Sequence, residues 1–206
     1  MMITENMDWR TIKFESESGK VLFTYADIEK LPEWPEGPLL EIIDGVLFMV
    51  PSPNLLHQEI CLNLATILRN LIQDHHLGRI FTAPIDVIFT EKCVAIPDIV
   101  YVSKSRENIL NPKNIAGVPD LVIEVLSENK NRDLVTKKKL YEHFGVPDYW
   151  IIDPVTQKVL LYSFDPKTKK FHSPVTRTGQ ETITAKGLPG IKIPVTHIFK
   201  IESMSR

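Results

Sequence analysis

The chain has 206 residues, 43% hydrophobic and 24% charged, with a net charge of −2. That suits one domain with a sizeable core, or at most two small ones, and the absence of any apolar run of 18 residues or more excludes a membrane-spanning helix. The near-neutral total does not mark a nucleic-acid binder, although a local basic groove would not show in it. Two cysteines, Cys61 and Cys93, at no metal-like spacing, and an N-terminus without an apolar signal core, point to a reducing cytoplasm.

Residues 1–20 are polar and aperiodic, and read as a flexible N-terminal arm ahead of a single domain over 21–206. Thr24 to Leu31 reads as a short helix with Asp27 in capping-box position, ended by Pro32, Pro35, Gly37 and Pro38. Asp44-Gly45 between Leu39–Ile43 and Val46–Val50 is a strong hairpin signal. A long helix is expected from Ser52-Pro53, with serine as its cap. Leu56, Ile60, Leu64, Ile67, Leu68 and Leu71 recur along it at helical spacing, and His75, His76 and Gly78 close it. His75 and His76 suit the negative end of its dipole. Cys61, on the apolar face, reads as a core thiol.

Strands are expected over Arg79–Phe89, Ala95–Val102 and Asp120–Leu126, with a loop and one short helix between the last two. Asp133 is expected to cap a helix ending at Phe144, with Gly145 as a left-handed C-terminal cap. Asp148–Ile152 and Lys158–Phe164 follow as strands, separated from what comes next by Asp153-Pro154 and Asp165-Pro166 turns. Short strands are expected around Gly187 and Gly190. The order predicts an α+β (mixed α/β) fold, a twisted mixed sheet with a helix on each side and an N-terminal hairpin.

Two strands open with Pro-Asp: Pro97-Asp98 and Pro119-Asp120. Strand side chains alternate faces, so Asp120, Val122, Glu124 and Leu126 share one face, and Asp98, Val100 and Val102 share another. If the two strands are neighbours, Asp98 and Glu124 converge. Paired carboxylates repel unless a cation lies between them, and magnesium is the usual choice beside a phosphate substrate. At about 100° per residue, Lys137 falls in the centre of an apolar helix face with Leu134, Tyr141, Phe144 and Leu140. A lysine aimed at the core needs a partner, either the Glu124 cluster or a bound phosphate.

Plainer readings stand beside these. Asp98 can serve as a turn acceptor at a strand start, Glu124 can form a simple salt bridge with Lys137, and Lys137 can snorkel to water. Asp120, at the strand entry, reads as structural. Glu41 can be a cross-strand partner, and His57 can be packed or solvent-facing. Lys130, Arg132, Lys137, Lys138 and Lys139 form either a solvated face or a phosphate track, and Tyr149 and Trp150 read as core aromatics.

Several of these segments together carry a resemblance. They are Glu41–Gly45, Pro51-Ser52-Pro53, His57, Pro97-Asp98, Glu124–Ser127, Asp133 with Lys137 and Tyr141, and Gly145–Pro154. The set resembles the Uma-type family of putative restriction endonucleases, within the PD-(D/E)xK nuclease superfamily, over roughly residues 24–200. The resemblance implies a restriction-endonuclease-like core in which Asp98 and Glu124 hold Mg²⁺ (or Mn²⁺) and DNA phosphodiesters are hydrolysed. Lys137 is then the catalytic lysine, supplied from a helix, because Leu126 stands where the superfamily pattern has one on the strand. Glu41 and His57 are implied second-tier site residues, the first a further metal ligand and the second a phosphate or water contact. A homodimer with one site per strand fits such chemistry. Leu126 and the near-neutral charge equally suit a nuclease-fold binding module without turnover.

Overall fold

The computed structural model describes residues 22–30, 39–127 and 132–200. The expected flexible arm, the Pro32–Pro38 helix stop and Lys130 lie outside the described residues.

A short helix α1 (Tyr25–Ile28) starts at a Thr24–Asp27 capping box, as its sequence predicts. Strands β1 (Leu39–Ile43) and β2 (Val46–Val50) form the expected hairpin, with Ile43 opposite Val46 and the turn at Asp44 and Gly45, both at positive φ. Helix α2 (Leu55–Asp74) starts later than expected. Its cap is Asn54 rather than Ser52, because the Asn54 side-chain oxygen accepts the His57 N–H at 2.9 Å.

The stretch read as one strand, residues 79–89, is two: β3 (Gly78–Thr82) and β4 (Asp86–Thr90). The stretch read over 95–102 is likewise two, β5 (Cys93–Ala95) and β6 (Ile99–Ser103). In each case a proline, Pro84 or Pro97, falls in the gap, where the missing N–H breaks the ladder. A 3₁₀ turn (Lys104–Ile109) and β7 (Asn114–Ala116) precede β8 (Leu121–Val125).

A π-type turn (Arg132–Lys137) runs into helix α3 (Lys138–Phe144), so Asp133 lies inside the first turn and is not its cap. Gly145 ends α3 at φ +70°, as expected of a left-handed cap. The chain then forms β9 (Asp148–Asp153), β10 (Lys158–Asp165), β11 (Lys170–Phe171), β12 (Val175–Thr178), β13 (Thr182–Ile183), β14 (Ile193–Pro194) and a last turn of helix α4 (Val195–Ile198).

The fold is mixed α+β. Among the described residues one sheet runs β2-β1-β5-β4-β7, a larger one runs β11-β10-β9-β8-β6-β3 with β12 also on β10, and β13 pairs with β14 in a third. Thus β4 and β5 belong to the hairpin sheet while β3 and β6 belong to the larger one. Strand β8 is central, antiparallel to β6 and parallel to β9. Its residues alternate. Leu121, Ile123 and Val125 pack with Ile60, Leu64 and Leu68 of α2. Val122 and Leu126 pack on the other side with Leu140 and Tyr141 of α3 and with Ile43 and Ala95 of the hairpin sheet. Both faces are covered, so β8 is apolar throughout except at Glu124.

Candidate active site

Glu124 is only 2% exposed in the middle of β8. Burying an unpaired carboxylate is costly, and two donors from the helical segment behind it meet that need. Lys137 Nζ lies 2.8 Å from Glu124 Oε1, and the Tyr141 hydroxyl donates to the same oxygen at 2.7 Å. Lys137 and Tyr141 are four residues apart and therefore share a helix face. The predicted inward lysine is thus found inside, 5% exposed and bound to Glu124.

Glu41 comes to the same ammonium from β1, with Oε1 at 3.1 Å from Lys137 Nζ. That oxygen also accepts the Ile96 N–H at 2.8 Å, which clamps the hairpin sheet to the segment entering β6. Asp133 Oδ1 stands 4.0 Å from Nζ. Three carboxylates therefore surround one cation.

Asp98 immediately precedes β6. The antiparallel register pairs Ile99 with Ile123, and its continuation sets Asp98 across from Glu124. The two Pro-Asp strands are neighbours, as the convergence argument requires. Asp98 Oδ2 accepts the Val125 N–H at 2.7 Å and faces His57 Nε2 at 3.1 Å. The cap at Asn54 brings His57 there by fixing the first turn of α2.

Asp98, His57, Glu124, Asp133 and Lys137 all line one cleft of about 880 Å³. Glu41 sits one contact behind them. The second Pro-Asp pair does something else. Asp120 Oδ2 accepts the Ser103 N–H at 2.8 Å and Oδ1 faces Arg106 at 3.5 Å, which ties β8 to the end of β6. The structural reading of Asp120 agrees with this.

Burial, with the Asp98 and Asp133 charges nearby, pushes the Glu124 carboxyl up to about 8, against the pull of Lys137. Burial would lower the His57 imidazole, but its hydrogen bond to Asp98 and the Asp98 charge raise it overall. Tyr141 is pushed well above the ordinary phenol range by burial and by Glu124, and so stays a donor.

Oxygen donors suit a hard divalent cation. Among the described residues, the hydrogen bonds to Asp98 and Glu124 all fall on Oδ2 and Oε1. That leaves Asp98 Oδ1 and Glu124 Oε2, two hard oxygen donors of the kind that magnesium or manganese takes.

Three partners were not assigned from the sequence. By sequence Tyr141 lies on the apolar face with no role attached, Asp133 is expected as a cap, and Cys61 as a plain core thiol. Cys61 Sγ lies 3.6 Å from His57 Nδ1. A spacing of four links His57 to Cys61, Asp133 to Lys137 and Lys137 to Tyr141, and that spacing was the available signal.

No curated protein matches the chain. Among solved structures it is similar to a crystal structure of a putative nuclease belonging to DUF820 from Anabaena variabilis. The two are 23% identical, with a TM-score of 0.69 over 86% of this chain and 97% of that one, a likeness of fold. The family model for Uma2, described as a putative restriction endonuclease, matches residues 25–196. With most of its length matched, and with the Pro-Asp strand, buried glutamate and helix-borne lysine gathered in one cleft, the chain belongs to the Uma2 family.

Proposed function

We propose that the cleft is the active site of a magnesium- or manganese-dependent endonuclease that hydrolyses phosphodiester bonds in DNA. The observation that carries this reading is Lys137, held at 2.8 Å from Glu124 in the wall of a cleft that also presents Asp98. A carboxyl perturbed by burial and by a specific charge partner in the wall of a cleft, as Glu124 is, marks a candidate site of chemistry.

Asp98 and Glu124 would hold the metal, which supplies Lewis acidity to the scissile phosphate and a bound water of lowered pKa. The protein residues do the rest. The Val125 N–H and His57 hold Asp98 through Oδ2, which leaves Oδ1 for the metal. Tyr141 and Lys137 do the same for Glu124. The Lys137 ammonium offsets charge that develops on the phosphate, and it orients a water for attack. Lys137 reaches this place from the helical segment, while Leu126 occupies the strand position with an apolar side chain 6% exposed. A homodimer, with one cleft for each strand of a duplex, belongs to the same reading and is checked by sedimentation.

The test is a plasmid-nicking assay with Mg²⁺ or Mn²⁺. Wild type should nick, and Glu124→Ala and Lys137→Ala should lose at least about a hundredfold in rate. Equal activity in all three would remove the site assignment. Leu126 favours a second reading, a nuclease-fold module that binds nucleic acid without cleaving it. Mn²⁺ binding without nicking by wild type would select that one.

A further inference from the structure

His57 presents its two ring nitrogens to different groups. Nε2 lies 3.1 Å from Asp98 Oδ2, and Nδ1 lies 3.6 Å from Cys61 Sγ. Cys61 is four residues on along α2, so the two side chains stand on one helix face. The Asn54 cap pins that stretch through the His57 N–H. His57 lines the cleft, whereas Cys61 is buried behind it and is not one of the cleft's lining residues. Cys61 can therefore act on the site only through the imidazole.

A neutral imidazole has one donor nitrogen and one acceptor nitrogen, and an ionised carboxylate only accepts. The nitrogen that meets Asp98 must then be the donor, because a bare Nε2 would set lone pair against lone pair. That leaves Nδ1 as an acceptor on a ring 8% exposed, and a buried acceptor needs a donor. Among the described residues, the group set against it is the Cys61 thiol. A thiol donates only while it keeps its proton. Burial, with the Asp98 and Glu124 charges nearby, holds Cys61 well above its ordinary range, so the S–H persists.

We infer that Cys61 is a positioning residue: its thiol donates to His57 Nδ1, keeps the ring proton on Nε2, and through that proton holds Asp98 by Oδ2 with Oδ1 left for the metal. The inference rests on the reading of Asp98 as a metal ligand. No proton changes hands and no covalent bond is made or broken. With the ring proton on Nδ1 instead, Nε2 would offer Asp98 nothing, and the Val125 N–H would be the donor left on Oδ2. Removing a group that touches a metal ligand directly typically costs 10–100-fold in metal affinity. Cys61 acts through one intervening ring, so its loss should cost less, about three- to tenfold.

Two spectroscopic signals test the chain of hydrogen bonds in the metal-free protein, and neither is moved by a role in packing alone. Nitrogen-15 NMR of the full chain at pH 9 should show the His57 ring protonated on Nε2 and bare on Nδ1. A proton on Nδ1, alone or together with Nε2, overturns the inference. In Cys93→Ser, which leaves Cys61 as the single thiol, the infrared S–H stretch should lie below that of a free thiol. Adding His57→Phe should return it to the free position. A free-thiol band from the start, or one that His57→Phe does not move, overturns the inference as well. Calorimetric titration at pH 8 then reads the consequence. Cys61→Ala should weaken Mn²⁺ binding about three- to tenfold, and Cys93→Ala should leave it unchanged. Full affinity in Cys61→Ala overturns the positioning role. Wild type that binds no Mn²⁺ while both spectroscopic signals appear refutes the proposed metal site and not the hydrogen-bonded chain.

Discussion

A metal bound through Glu124 must displace the proton that burial has placed on it. With the carboxyl pushed up to about 8, Glu124 is ionised in about one molecule in ten at pH 7 and about one in a hundred at pH 6. Mn²⁺ affinity should therefore weaken about tenfold for each pH unit below 8, equivalent to about 1.4 kcal/mol per unit, and level off above 8. For the metal-free chain the sign is opposite. Glu124 binds its proton more tightly folded than unfolded, where its value is 4.5. This group therefore adds stability as pH falls from about 8 towards 4.5, and that stability is lost as pH rises through 8. Calorimetric titration with Mn²⁺ at pH 6, 7, 8 and 9, in two buffers of different ionisation enthalpy, gives both the affinity and the protons released. Close to one proton should leave at pH 6 and fewer at pH 9. Glu124→Gln should lose most of the affinity and its slope. Equal affinity at pH 6 and pH 8, or an unchanged slope in Glu124→Gln, would refute the reasoning.

Three further outcomes follow from the same contacts. At pH 9, where Glu124 is ionised, Lys137→Met leaves Glu124 and Glu41 without their shared cation, and urea unfolding should register a loss of about 3 kcal/mol or more. Asp120→Ala removes the acceptor of the half-buried Ser103 N–H and should lower stability by about 1 kcal/mol while leaving Mn²⁺ affinity unchanged. A change in metal binding there would contradict its structural role. Gly78→Ala should lower the thermal midpoint markedly, because Gly78 sits at φ +142° and an added Cβ would lie 2.2 Å from the Val102 carbonyl oxygen.

Local periodicity carried much of the site. The alternation along Leu121–Val125 and the wheel around Lys137 were enough to say that Glu124 and Lys137 face inward and need partners, and the structure joins them at 2.8 Å. The hairpin turn, the Thr24 capping box and the Gly145 cap were legible because each depends on residues within a few positions of one another. The split of residues 79–89 and 95–102 between two sheets was not legible. Pro84 and Pro97 mark where pairing stops, but they do not say which sheet takes the next strand.

Which elements meet was decided in three dimensions. A period of 3.6 or 2 states which face of an element is buried, and is silent about what covers it. Glu41 reaches Lys137 only because the hairpin sheet packs over α3, and His57 reaches Asp98 only because the first turn of α2 lies over the entry to β6. Cys61 looked like any apolar-face thiol until that packing set its sulfur against His57. The sequence by itself placed Lys137 on an apolar helix face and offered the Glu124 cluster as one of its partners. The tertiary structure decided the rest of their company, because contacts between residues forty or more positions apart depend on how the two sheets and the helices stack, and no local pattern encodes that stacking.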